Sequence, residues 1–207
     1  MPSACAIRSS TIRRGPGLSS DAWTPYGTLA ASLPAAGPGH RLAALDAPAA
    51  WLVMGAPNDA VWRADVEAAL GAALPLQAGG VTTGVAARVF WLGPDRWLAL
   101  DPAEPARLQS MAGAVETSDA RFWLECSGQA TAPALAALAG RDFGLTSFPP
   151  GTATGLRIGG TAVIVERRAG DVFVVAGPVS LAEHVAALLL RALADQPGGN
   201  PSTTAKT

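Results

Sequence analysis

Cysteine, histidine and tyrosine are scarce in this chain. Its 207 residues include two cysteines, two histidines and one tyrosine. Cys5 and Cys126 lie far apart, so a disulfide framework is not expected. Cys126, in FWLECSG, reads as a small buried hydrophobe. Neither His40 nor His184 has a second histidine at ligand spacing, and neither CxxC nor HExxH occurs, which argues against a zinc site. GxGxxG and GxxxxGK[ST] are also missing, which removes the dinucleotide fingerprint and the phosphate loop. ECSGQ lacks the glycine two residues before Ser127 that a nucleophile elbow requires, so it reads as a strand-to-helix turn.

Charge is scarce too. Only 15% of residues are charged and the net charge is −1, which argues against a nucleic-acid partner, since phosphate neutralisation needs a basic surface. No apolar stretch reaches the roughly 18 uncharged residues of a membrane span. The longest, from Leu181 to Leu193, is interrupted by Glu183, His184 and Arg191. Arg8, Arg13 and Arg14 are followed by no apolar block, so the N-terminus does not read as a secretory signal and the expected location is cytoplasmic. Asp95, Asp101, Glu116, Asp119, Glu125 and Asp142 stand near element ends, and no spacing pairs them for acid–base work.

What the chain has is apolar residues, 49% of the total, punctuated by 23 glycines and 17 prolines. Residues 1–38 lack apolar periodicity and read as a flexible arm, residues 196–207 as a disordered tail, and 39–195 as one domain. Within it, RLAALDAP and AWLVMGA read as strands flanking a proline-containing turn. Residues 58–74 read as a helix capped by Asn58 or Asp59. Residues 86–101 form a hairpin turning at Gly93-Pro94-Asp95-Arg96. A short helix after Pro102, a strand over 120–127 and a helix over 131–140 ending at Gly140 follow. Strands over 154–160, 161–168 and 171–177 make a meander, and a last helix runs from about Ser180 to Ala194, with Ser180 as its cap and Glu183 three residues on. Strand pairs alternating with single helices indicate an α+β fold, mainly antiparallel, with helices covering one side and a loose two-fold repetition dividing near residue 112.

LTSFPPGTATGLRI, residues 145–158, is a stiff elbow. Phe148 and Pro149 each precede a proline and are held extended, and Gly151 is free to take a positive φ. Trp91, Gly93, Pro94, Asp95 and Trp97 of the hairpin, with Phe148, Pro149, Pro150 and Gly151 of the elbow, are structural or interface candidates. No residue is a candidate for catalysis, cofactor binding or metal ligation.

Taken together, VFWLGPDRWLAL (89–100), LECSGQATAPALAAL (124–138), FPPGTATGLRI (148–158) and VFVVAGPVSLAEHVAALLLRAL (172–193) resemble the gamma subunit of heterotetrameric sarcosine oxidase. The resemblance covers roughly residues 45–195. It implies the fold of an aminomethyltransferase folate-binding domain and a non-catalytic accessory role. The implied complex is a flavoenzyme that oxidatively demethylates sarcosine to glycine, with oxygen as electron acceptor and tetrahydrofolate as one-carbon acceptor. Its implied partners are alpha, beta and delta subunits, which carry FAD, FMN, NAD, the tetrahydrofolate site and zinc, leaving no cofactor on this chain. The other reading is a stand-alone folate-binding or aminomethyltransferase-like protein, for which Asp119 or Asp142 would supply the pocket carboxylate.

Overall fold

The computed structural model describes residues 27–196. A 3-10 turn (Gly27–Ser32) leads into β1 (Ala35–Gly37), β2 (His40–Ala44), β3 (Ala50–Met54), α1 (Ala60–Leu70), β4 (Val81–Thr83), β5 (Arg88–Gly93) and β6 (Arg96–Leu100). Then come α2 (Pro105–Ser110), β7 (Ala114–Glu116), β8 (Arg121–Ser127) and α3 (Thr131–Ala139). The chain closes with β9 (Thr152–Ile158), β10 (Thr161–Ala169), β11 (Val172–Pro178) and α4 (Ala182–Ala194).

The strands form two sheets, ordered β1-β2-β8-β11-β10-β9 and β4-β5-β6-β3-β7, and every neighbouring pair is antiparallel. Alternation along each strand sends successive side chains to opposite faces. In β6, Trp97 and Ala99 meet Val66, Leu70 and Leu108 of α1 and α2. Leu98 and Leu100, from the same strand, point the other way and meet Trp123, Ile164, Val174 and Ala176 of the larger sheet. The opposite face of that sheet, with Phe122, Leu124, Val165, Phe173 and Val175, packs on Leu135, Val185 and Leu189 of α3 and α4. The result is four layers: helices, sheet, sheet, helices. Each large side chain buried this way is worth roughly 1.5–3 kcal/mol.

The α+β class and antiparallel pairing hold. Helices cover one side of each sheet, as expected, and the other side of each is covered by its companion sheet, because the central strands are apolar on both faces. The division near residue 112 follows the layers. Strands β3 to β7 make one sheet, while β8 to β11 make the other together with β1 and β2.

Three local readings change. RLAALDAP and AWLVMGA do not remain neighbours, since β2 pairs with β8 and β3 with β6. Ordered structure is already present at Gly27, inside the span read as an arm, because β1 pairs with β2 through backbone bonds that need no apolar periodicity. Residues 1–26, and the tail beyond Gln196, lie outside the described residues. Ser180 does not cap the last helix. Pro178 ends β11, a 3-10 turn (Val179–Leu181) follows, and the cap position falls on Leu181 with no side-chain bond. At α1 the expectation holds, since Asp59 Oδ1 accepts from the amides of Val61 at 2.9 Å and Trp62 at 3.1 Å.

Candidate functional site

The elbow joins α3 to β9, and its shape is fixed by three phenylalanines and one arginine. Phe143 and Phe148 meet edge to face at 5.1 Å between ring centres, and both pack on Phe173 of β11. Arg167 of β10 comes in beneath them. Strand alternation puts it on the same face as Val163 and Val165, which buries its guanidinium in the helix-side core, 2% exposed. Its Nη1 donates to the carbonyls of Phe143 at 3.0 Å and Phe148 at 2.7 Å, and its Nε to that of Gly170 at 2.6 Å. The plane lies 4.6 Å from the centre of the Phe173 ring, and Asp171 is 3.8 Å away as the nearest carboxylate. A buried cation thus takes up two buried carbonyls that proline-rich backbone leaves without a sheet partner.

Pro149 and Pro150 are exposed on the outer rim. Gly151 has φ 81° and donates its amide to the carbonyl of Arg167 at 2.8 Å. A Cβ placed on it would meet nothing within 4 Å, so conformation alone demands glycine here. Gly151→Val should therefore destabilise the fold by about 1–3 kcal/mol, and Gly151→Asn by clearly less, because asparagine tolerates the left-handed region. Thermal melts of the two variants check this, and equal losses would mean that side-chain volume is what matters.

The hairpin candidates separate. Trp97 is fully buried, donates Nε1–H to the carbonyl of Pro75 at 2.8 Å and lies 5.9 Å from the Trp62 ring. Trp91, its cross-strand partner, is half-buried. Gly93 sits at a register shift, and Pro94 and Asp95 are exposed at the tip, where the Asp95 carbonyl accepts from Gly55 N at 3.0 Å. The hairpin belongs to the smaller sheet and the elbow to the larger, so these candidates do not form one constellation.

The carboxylates named for a folate pocket are also separate. Asp142 closes its own turn, accepting from the Gly144 amide at 2.7 Å and from the Ser147 hydroxyl, and the hydroxyl first and the amide second hold it below the usual carboxylate range. Asp119 is exposed in a short 3-10 turn beside an open hollow. Neither has the free, enclosed carboxylate that a pteridine ring requires. Cys126 is fully buried, and burial first, with Glu125 second, pushes its thiol up to about 12, so it carries no thiolate at neutral pH.

Sequence reasoning missed the cleft between the sheets. About 240 Å³ in volume, it is lined by Leu45, Asp46, Arg88, Asp101, Trp123 and Arg168 among others. Glu166 is buried beneath it, 2% exposed, and is bonded by Arg88 and by Arg168 Nε at 3.3 Å. Asp101 holds a left-handed φ of 47° and clasps Ala49, accepting from its amide at 3.0 Å and donating to its carbonyl at 2.7 Å. The strongest charges of the cleft are spent on one another. The signal was the Glu166-Arg167-Arg168 run at the end of an apolar strand.

No group of three or more histidine, cysteine or acidic residues that could hold a metal ion exists among the described residues. No helix among them is long and apolar enough to cross a membrane. No family model and no curated protein matches the sequence. Solved structures do. A chain of heterotetrameric sarcosine oxidase from Corynebacterium sp. U-96, in complex with pyrrole 2-carboxylate, superposes with a TM-score of 0.75 at 25% identity, covering 84% of this chain and 95% of that one. The glycine cleavage system aminomethyltransferase T of Bartonella henselae gives a TM-score of 0.53 at 18% identity, over 80% of this chain and 49% of that one. The second likeness concerns fold alone, and this chain spans about half the length of that enzyme. The expected resemblance to sarcosine oxidase and the aminomethyltransferase-like α+β fold both hold.

Proposed function

We propose that this chain is a non-catalytic accessory subunit, of the gamma kind, in a heterotetrameric sarcosine oxidase. The observation that carries the reading is coverage: the chain matches 95% of one sarcosine oxidase chain, so the likeness extends over nearly the whole of that chain. The interior is consistent with a scaffold. Its buried charges, Arg167 and the Glu166 cluster, are bonded to backbone or to each other, and its buried thiol is protonated. Such groups shape a surface and leave chemistry to the partner chains. On this reading the alpha, beta and delta partners hold FAD, FMN, NAD, tetrahydrofolate and zinc, and the complex works in the cytoplasm. The flavins supply the oxidation of sarcosine, and this chain contributes the rigid frame on which their subunits assemble.

The test is to purify the chain alone and after co-expression with the flavin-binding and short cysteine-rich chains of a heterotetrameric sarcosine oxidase. Alone, it should show no absorbance near about 450 nm and no sarcosine-dependent oxygen uptake, since the chemistry belongs to a cofactor held elsewhere. Co-expressed, it should elute with the flavin chain in an active assembly. Flavin bound to the isolated chain, or an active oxidase that forms without it, would end the proposal.

A further inference from the structure

At the opposite end of the inter-sheet layer from the charged cleft, the larger sheet runs on past the smaller one. Leu92, at the end of β5, is the last side chain of the smaller sheet to cover it. Beyond Leu92 lies a groove of about 370 Å³ whose walls are Leu92, Gly155, Leu156, Ala162, Val163 and Ile164. Two arginines enter it. Arg157 stands opposite Ala162 on β9, and Arg121 stands opposite Pro178 at the start of β8. No acidic side chain among the described residues lines the groove.

The two cations are not alike. Arg157 is exposed and donates Nη1 to the carbonyl of Gly160 at 2.6 Å. Arg121 is half-buried, and among the described residues its Nε, shut off from solvent, meets no hydrogen-bond acceptor and its guanidinium pairs with no carboxylate. Burial alone pushes its guanidinium below the ordinary value. Removing a charge from water without a counter-ion is costly, so a side chain kept in this state calls for an anionic group from outside. The chain's own segments beyond the described residues are poor in acid and carry more cations than anions. Residues 1–26 carry three arginines and one aspartate, and residues 197–207 carry one lysine and no acid.

We propose that this groove docks a segment of a partner subunit that presents an aspartate or glutamate to Arg121, flanked by apolar side chains that lie on Leu92, Ala162 and Ile164. The proposal rests on the subunit reading and identifies where on this chain the contact is made. A carboxylate there would complete a guanidinium pair at the edge of an apolar floor, an arrangement in which charge complementarity fixes the register of a protein interface. Because Arg121 has no hydrogen-bond or ion-pair partner to lose among the described residues, replacing it should leave the isolated fold intact.

The experiment co-expresses tagged wild type, Arg121→Gln, Arg121→Glu and the control Arg191→Glu with the flavin chain, and measures flavin chain recovered per tagged chain. Arg191 lies on α4, on the far side of the larger sheet. Recovery should fall at least tenfold for Arg121→Glu and about threefold or more for Arg121→Gln, with the control at the wild-type level. The melting midpoint of each isolated variant should stay within about 2 °C of wild type. Ala162→Trp, which fills the groove from an exposed position without altering charge, should reproduce the loss, and it decides the matter if an Arg121 variant does not fold. Undiminished recovery in Arg121→Glu and Ala162→Trp would overturn the proposal while leaving the subunit reading in place. Failure of wild type to recover any flavin chain would remove that reading and the proposal with it. A change in self-association of Arg121→Glu alone, with recovery unaltered, would assign the groove to a second copy and likewise overturn it.

Discussion

Arg167→Met is expected to lower the melting midpoint by roughly 10 °C, the largest loss of any single substitution considered. Methionine matches the length of the arginine stem and fills an apolar space well. It donates nothing. The carbonyls of Phe143 and Phe148, which Arg167 Nη1 serves at 3.0 and 2.7 Å, would be left buried and unmade, at about 1–3 kcal/mol each. The contact of the guanidinium with the Phe173 ring would go as well, adding on the order of 1 kcal/mol. A total near 4 kcal/mol corresponds to a shift of about 2–4 °C per kcal/mol in a chain of this size. Arg167→Lys keeps the charge but has no planar fork, so it should recover only part of the loss. Calorimetry of the three proteins is the check. A methionine variant that melts within 2 °C of wild type would mean that the elbow carbonyls find other donors, and the arginine would lose its place as the organiser of the turn.

Glu166→Gln should cost about 3 kcal/mol. The substitution keeps volume and removes the charge that both Arg88 and Arg168 approach in a nearly sealed position. Breaking a buried pair by removing one partner typically costs about 3–5 kcal/mol, because the remaining charge stays behind uncompensated. The lower end applies here, since the side chains of Arg88 and Arg168 keep 27% and 33% of their exposure and can turn toward water. The double variant Glu166→Leu with Arg88→Leu should be more stable than either single change, as an apolar pair suits the middle layer. Chemical denaturation of the four proteins in a mutant cycle gives the coupling directly. A coupling below about 0.5 kcal/mol would show that the cluster is solvated in effect and does not tie the sheets together.

Much of the architecture was readable from spacing. TAVIVERR (161–168) reads as a strand, Gly140 as the end of α3, and Asn58 or Asp59 as the cap of α1. What was not readable depends on which face meets which. Trp123 and Trp97 have the same composition and similar neighbours, yet one lies between the sheets and the other under α1, and only the assembled layers distinguish them. β4 and β7 are three residues each, too short to show a period, and they exist because a longer neighbour offers them a hydrogen-bonding edge. The elbow was recognised from its prolines, since proline leaves a local mark. Arg167 was not, although its place two residues after Val165 already put it on the buried face. A charge at the end of an apolar run reads as the point where a strand reaches water. Here it was the point where the strand met a loop with carbonyls to spare. Arg88 and Glu166, 78 residues apart, had no sequence signature that could join them.

The pairing of β2 with β8 brings Arg41 opposite Ser127, with the whole of the smaller sheet and its two helices strung between them. In topological terms that layer is an insertion into the outer margin of its companion. Loop-closure entropy rises only with the logarithm of length, about 0.6 kcal/mol for each doubling, so such a detour costs little once the inserted part folds on its own contacts. Its strands from β3 to β7 do pair only among themselves. The order of events in folding follows from this. The contiguous segment and the β9–β10–β11 meander can each close early through near neighbours, while the β1–β2 margin waits until both are in place and is the first part to let go.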